Sequence, residues 1–122
     1  MQVTLTFSKF QNHLLLSVMR VEERTQLIPE LVWTYAEFYE HLRTPGASLW
    51  VVEDDYTNQV QGFAALRKEG DQLVVVNMAS MSGIVMRMMR ANVIAKALEY
   101  GVALQDIVDR TPNRWVPLRE AA

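Results

Sequence analysis

The chain has 122 residues, enough for one domain built around one core. Half of it is apolar, about a fifth is charged and the formal charge is −2, so no basic footprint for nucleic acid is present. It holds no cysteine, which excludes disulfides, thiol catalysis and thiolate metal sites, and no apolar run approaches the length of a membrane helix. The opening MQVTLTFSKF lacks the basic-then-apolar design of a secretory signal, so the expected location is the cytoplasm.

Residues 2–7 alternate polar and apolar, which predicts a strand with Val3, Leu5 and Phe7 on one side. Residues 11–19 suit a short helix, although Leu14-Leu15-Leu16 also fits a buried strand. VEERTQL, residues 21–27, is polar and reads as a connection. Pro29 suits the first position of a helix, where its missing N–H costs nothing. Leu31, Val32, Tyr35, Phe38, Tyr39 and Leu42 recur there with a helical period and predict one broad apolar stripe. Pro45-Gly46 ends that helix.

Three strands are predicted next: Leu49 to Glu53, Gln59 to Arg67 and Gln72 to Met78. The turns between them, Asp54 to Asn58 and Lys68 to Asp71, are short enough to demand antiparallel neighbours. The third strand is apolar on both faces, as a strand covered from both sides would be. A helix from Ile84 to Tyr100, capped by Ser82 and stopped by Gly101, follows. Arg87, Arg90, Asn92, Lys96 and Glu99 supply its wet side. Ala103 to Asp109 reads as a last strand and Arg110 to Asn113 as a turn. The end, RWVPLREAA, offers Trp115, Val116 and Leu118 as apolar anchors, with Pro117 arguing against a central strand.

A strand that feeds a helix N-terminus through a small-residue loop makes an anion site, because free backbone N–H groups and the helix dipole converge there. Ser80, Ser82 and Gly83 are the donors this chain offers, though an ordinary helix cap explains them too. Glu53, Asp54 and Asp55 end a strand where a carboxylate can act as general base, and an acidic turn is the plainer reading. His13 and His41 lack partners at metal-ligand spacing, and His41 suits a surface or satisfied position. Gly62 lies in a strand interior, which points to a close approach by a neighbour. Methionines at 78, 81, 86, 88 and 89 are dense, and are read mostly as core with some free to form a contact surface.

The order of elements resembles the GNAT superfamily of N-acetyltransferases, most clearly from Phe38 to Gly101. Gly62 before an apolar run, Gly83-Ile84 and then Met88-Met89 at the helix start carry the likeness. The resemblance implies an α/β (α+β) fold: a mixed, mostly antiparallel sheet with helices on both faces, truncated at the C-terminus, in a single domain over residues 1–122. It also implies that Asn77, Met78, Ala79, Ser80, Met81, Ser82, Gly83 and Ile84 stand where relatives bind acetyl-CoA. Those relatives carry an Arg or Gln and then Gly-x-Gly-x-Gly or Ala before the helix. This chain reads Ser80-Met81-Ser82-Gly83-Ile84-Val85, with one glycine left, no basic or amide residue, and Val85 beside the expected phosphate path. About 13 residues follow Asp109, so the family's usual tyrosine acid has no counterpart, and no catalytic residue is assigned.

The expected function is therefore a non-catalytic GNAT-like interaction or structural module without cofactor, by analogy with short proteins among bacteriophage accessory and virion components. The alternative is a minimal acetyltransferase moving acetyl from acetyl-CoA to an amine. A short C-terminal part predicts an uncovered apolar surface and hence a homo-oligomer or protein partner, with Trp115, Met81 and Met86 at the contact. Neither nucleic acid nor membrane is an expected partner.

Overall fold

The computed structural model describes residues 4–112, and the elements run β1 (Leu5–Lys9), α1 (Leu15–Thr25), α2 (Tyr35–Arg43), β2 (Ala47–Asp54), β3 (Gln59–Glu69), β4 (Gln72–Ser80), α3 (Gly83–Glu99) and β5 (Ile107–Asp109). The five strands form one sheet in the order β1-β2-β3-β4-β5. The first three pairings are antiparallel and β4–β5 is parallel, as a crossover through α3 requires. The predicted mixed, mostly antiparallel sheet with helices on both faces is thus present.

Side-chain alternation sorts the sheet into two cores. Val52, Ala64, Leu66, Leu73, Val75 and Met78 face α3, which lays Val85, Met89, Val93 and Ala97 against them. Leu49, Val51, Phe63, Ala65 and Ala79 face the other way, under Val18 and Val21 of α1 and Phe38 of α2. The doubly apolar β4 is covered from both sides, as its sequence predicts.

Several boundaries differ from the sequence reading. β1 starts at Leu5 and runs on to Lys9. Residues 11–19 do become helical, with a 3-10 turn at Asn12–Leu14 leading into α1. The segment 21–27 is not simply a connection, because α1 continues to Thr25 and buries Val21 and Glu22. Its local polarity hides a core-facing edge at helical spacing from Leu14 and Val18.

Pro29 opens only a 3-10 turn, Pro29–Leu31. The second helix starts later, at Tyr35, because Thr34 forms a capping box: its hydroxyl accepts from Glu37 N while the Glu37 carboxylate accepts from Thr34 N. The predicted broad stripe on this helix is therefore split. Phe38 is buried, whereas Leu31, Tyr35, Tyr39 and Leu42 are exposed. β3 and β4 each extend beyond prediction, which shrinks the turn at residues 68–71 to Gly70 and Asp71, with Gly70 at φ +56°. The predicted strand 103–109 is a 3-10 turn, Leu104–Asp106, before a three-residue β5. Val3, Asn113, Trp115, Val116, Pro117 and Leu118 lie outside the described residues.

Candidate functional site

The site begins with a bulge in β4. Ala65 of β3 faces Asn77 and Leu66 faces Val75, so Val76 has no partner. Val76 and Asn77 consequently point to the same face, toward α1. Asn77 is fully buried there, and its Nδ2 donates to Oε1 of Glu22 at 3.3 Å. Glu22 is equally buried, and its Oε2 accepts from Trp33 N at 2.8 Å. One carboxylate thus ties α1, the α1–α2 connection and the bulged strand together.

β5 pairs with β4 only along Leu73–Val75, and Arg110 N adds one bond to Val75 O at 2.8 Å. From Val76 to Ser80, β4 has no strand on that side among the described residues. Met81 N donates to Gln61 O of β3, so two-residue alternation turns the backbone groups of Met78 and Ser80 to the open edge. The backbone of Asn77 and of Ala79 faces β3 instead. An extended chain with alternating donors and acceptors can lie along this edge.

At the end of that edge stands the N-terminus of α3. Met81 and Ser82 alone separate it from β4. Ser82 caps the helix, its Oγ accepting from Val85 N at 3.3 Å, as predicted. Ser80 Oγ in turn donates to Ser82 O at 2.9 Å. The serines bond to their own junction. Gly83 and Ile84 keep the N–H groups that an anion can still approach. Ile84 points outward, 66% exposed, and Met81 is exposed beside it.

The side chain of Val85 is buried and packs against Gly62. A Cβ on Gly62 would sit 2.7 Å from Val85 Cγ1 and 3.1 Å from Ala79 O, which is the close approach predicted for that glycine. The β-branched residue is accommodated because β3 supplies no side chain opposite it.

The open edge accommodates an extended arm such as that of acetyl-CoA. The junction fits the diphosphate poorly: its two residues are too few to wrap it, one of the first-turn N–H groups is already engaged, and no cation stands in the loop.

Asp54, Asp55 and His41 have structural partners. Asp54 Oδ1 accepts from Tyr56 N at 2.9 Å, and Asp55 Oδ2 accepts from Thr6 Oγ1 at 2.7 Å. The acidic cluster is a turn, with Asp54 bonding its backbone. His13 is exposed, while His41 is buried and its Nε2–H donates to Ser48 O at 2.8 Å. Burial above all holds the His41 pKa below 6.5; its bond to Ser48 works against this, and the Arg67 charge adds to it. Lys96, read as part of a wet face, stands over the Trp50 ring at 3.9 Å and pairs with Glu99 at 3.1 Å. Met86 packs partly against the core under α3. No group of three His, Cys, Asp or Glu that could hold a metal occurs among the described residues, and no helix there is long and apolar enough to cross a membrane.

Sequence reasoning missed Glu22. The available signal was its spacing: Leu14, Val18 and Glu22 fall on one helix face, so the carboxylate had to enter the core with them.

No family model matches the chain, and no curated protein sequence matches it. Among solved structures, the fold matches the ribosomal-protein-S18-alanine N-acetyltransferase from Escherichia coli with a TM-score of 0.69 at 16% sequence identity. The match covers 82% of this chain, which spans 63% of the length of that enzyme. The fold is GNAT-like.

Proposed function

We propose that this chain uses its GNAT-like fold as a non-catalytic interaction or structural module. The self-satisfied β4–α3 junction supports that reading most strongly. A two-residue loop, a serine that spends itself on Val85 N and a second serine bonded to the first leave little to hold a diphosphate. The loop also lacks the basic or amide residue and the further glycines that the resemblance leads one to expect.

A second reading, a minimal acetyltransferase that moves acetyl from acetyl-CoA to an amine, draws support from the open edge of β4 and from the fold likeness. Calorimetric titration with acetyl-CoA separates the two. The module reading expects no binding tighter than about 100 μM. A low-micromolar dissociation constant, about −7 to −8 kcal/mol, would overturn it in favour of the enzyme.

A further inference from the structure

The side of α3 that faces away from the sheet is apolar where a lone surface helix would be polar. Ile84, Met88, Ala91, Ala95 and Leu98 recur at intervals of four, three, four and three residues. That is the spacing of a helix–helix seam over two heptads. At 100° per residue the row lies about 160° from the stripe of Val85, Met89, Val93 and Ala97 that packs on the sheet. Ile84 and Leu98 are 66% and 65% exposed, and Ala91 and Ala95 are exposed as well, whereas Met88 is half-buried and also packs against the core under α3, so it flanks the row.

We propose that this face docks on the same face of a second copy, with the two α3 helices antiparallel about Ala91. The row is self-complementary under that operation. Ile84 meets the partner's Leu98 and Ala91 meets the partner's Ala91, with Met88 one residue out of level with the partner's Ala95. Large faces small or apolar faces apolar at each level, and the central alanines permit close approach of the two axes. A two-fold axis through Ala91 closes the pair, so no open polymer follows.

Charge supports the same orientation. Antiparallel helices oppose their dipoles. The carboxylate of Glu99, beside the seam, reaches the level of the partner's Gly83, where the first turn of α3 is electropositive. A parallel pair would instead align the two helix dipoles side by side and bring like helix ends to the same level. The role of this contact rests on the module reading, and the two fail separately: tight acetyl-CoA binding would sink the module, whereas a persistent monomer would sink the pair.

The cysteine-free chain makes the test direct. Sedimentation of the full chain at about 100 μM should give twice the monomer mass. Ala91→Arg should raise the dimer dissociation constant at least tenfold, with far-UV circular dichroism unchanged because the position is exposed. Ala91→Cys should form a disulfide-linked dimer under mild oxidant, whereas Tyr56→Cys in the β2–β3 turn should not. Mixed Ile84→Cys and Leu98→Cys chains should cross-link to each other. Neither should cross-link alone, since like residues would lie about 21 Å apart along the pair. A monomer at that concentration overturns the proposal. So does a dimer that survives Ala91→Arg without trapping through Ala91→Cys, which would move the contact elsewhere, or a self-link through Ile84→Cys, which would make the helices parallel. Should Ala91→Arg fail to fold, the cysteine pattern alone decides.

Discussion

The two faces of the sheet are built from different materials. Under α3 the packing is hydrocarbon: Val52, Ala64, Leu66 and Met78 meet Val85, Met89, Val93 and Ala97, and none of the buried polar side chains among the described residues belongs to α3. Under α1 and α2 hydrocarbon is also present, but four polar side chains are buried: Glu22 and His41 bond to the sheet from the helices, Asn77 meets Glu22 from β4, and Gln26 closes α1. A dry apolar face tolerates small sliding of one helix over a sheet, because dispersion is non-directional. A buried carboxylate shared by Trp33 N and Asn77 Nδ2 fixes distance and direction at once. The polar face therefore sets the shape of the bulge and of the open edge beside it, and the apolar face supplies bulk stability.

Removing Glu22 should break this contrast most sharply. Glu22→Ala removes the acceptor that Trp33 N and Asn77 Nδ2 share, and the expected loss is about 2–5 kcal/mol in a urea melt. Asn77→Ala should cost less. The double variant should cost less than the sum of the two, since the bond between them is counted in both single losses. Strict additivity would mean that Glu22 does not hold the bulge through Asn77. Glu22→Leu separates polar fixing from simple filling: a neutral or stabilising result would show that hydrocarbon serves this face equally well.

The same contrast explains which parts of the molecule were legible in its sequence. The strands β2, β3 and β4, the helix α3 and its Ser82 cap follow from hydrophobic period and turn chemistry, and so does the layered architecture. The far side was harder. Residues 21–27 look like a polar connection because Glu22, Glu23 and Arg24 are charged, and one-dimensional polarity does not distinguish a charged side chain in the core from two in water. The stripe from Leu31 to Leu42 looks like core, yet the Thr34 capping box resets the helix and leaves Tyr35 and Tyr39 outside. Of the candidate site, the helix end and its Ser82 cap were legible. The bulge at Val76 was not, because a register shift is decided by what Asn77 can reach across the sheet. Met81 is placed, exposed at the mouth of the edge, whereas Trp115 lies outside the described residues.

The hydrocarbon face can be tested where it is tightest. Gly62→Val puts a Cβ 2.7 Å from Val85 Cγ1 and 3.0 Å from Met89 Sδ. Overpacking there should destabilise by about 1–3 kcal/mol. Val85→Ala in the same chain should recover part of that loss, since the side chain in the way has been cut back. Recovery would confirm that Gly62 and Val85 are one packing unit. No recovery would place the strain on the Ala79 carbonyl, 3.1 Å from the added atom, and would make this face as directional as the other.

The smallest expected effect concerns pH, and it belongs to the polar face alone. His41 is buried beside Trp33, bonded to Ser48 O and within the field of Arg67. Burial is the chief cause that holds its pKa below 6.5. The folded chain therefore keeps the ring neutral at a pH where the unfolded chain already binds the proton. Its contribution to stability is complete above about pH 6.5 and is lost as the pH falls from there toward the lower folded value. Urea midpoints at about pH 7.5 and about pH 5.5 should differ more in the native chain than in His41→Gln, which cannot take up that proton. The subtraction matters because surface carboxylates titrate in both proteins and cancel. An equal fall in the two chains would mean that the imidazole is as easily charged inside as outside. The α2 side would then be wetter than its packing against Ser48 and Trp33 allows, and the division of the sheet into a fixed polar face and a dry apolar one would have to be redrawn at β2.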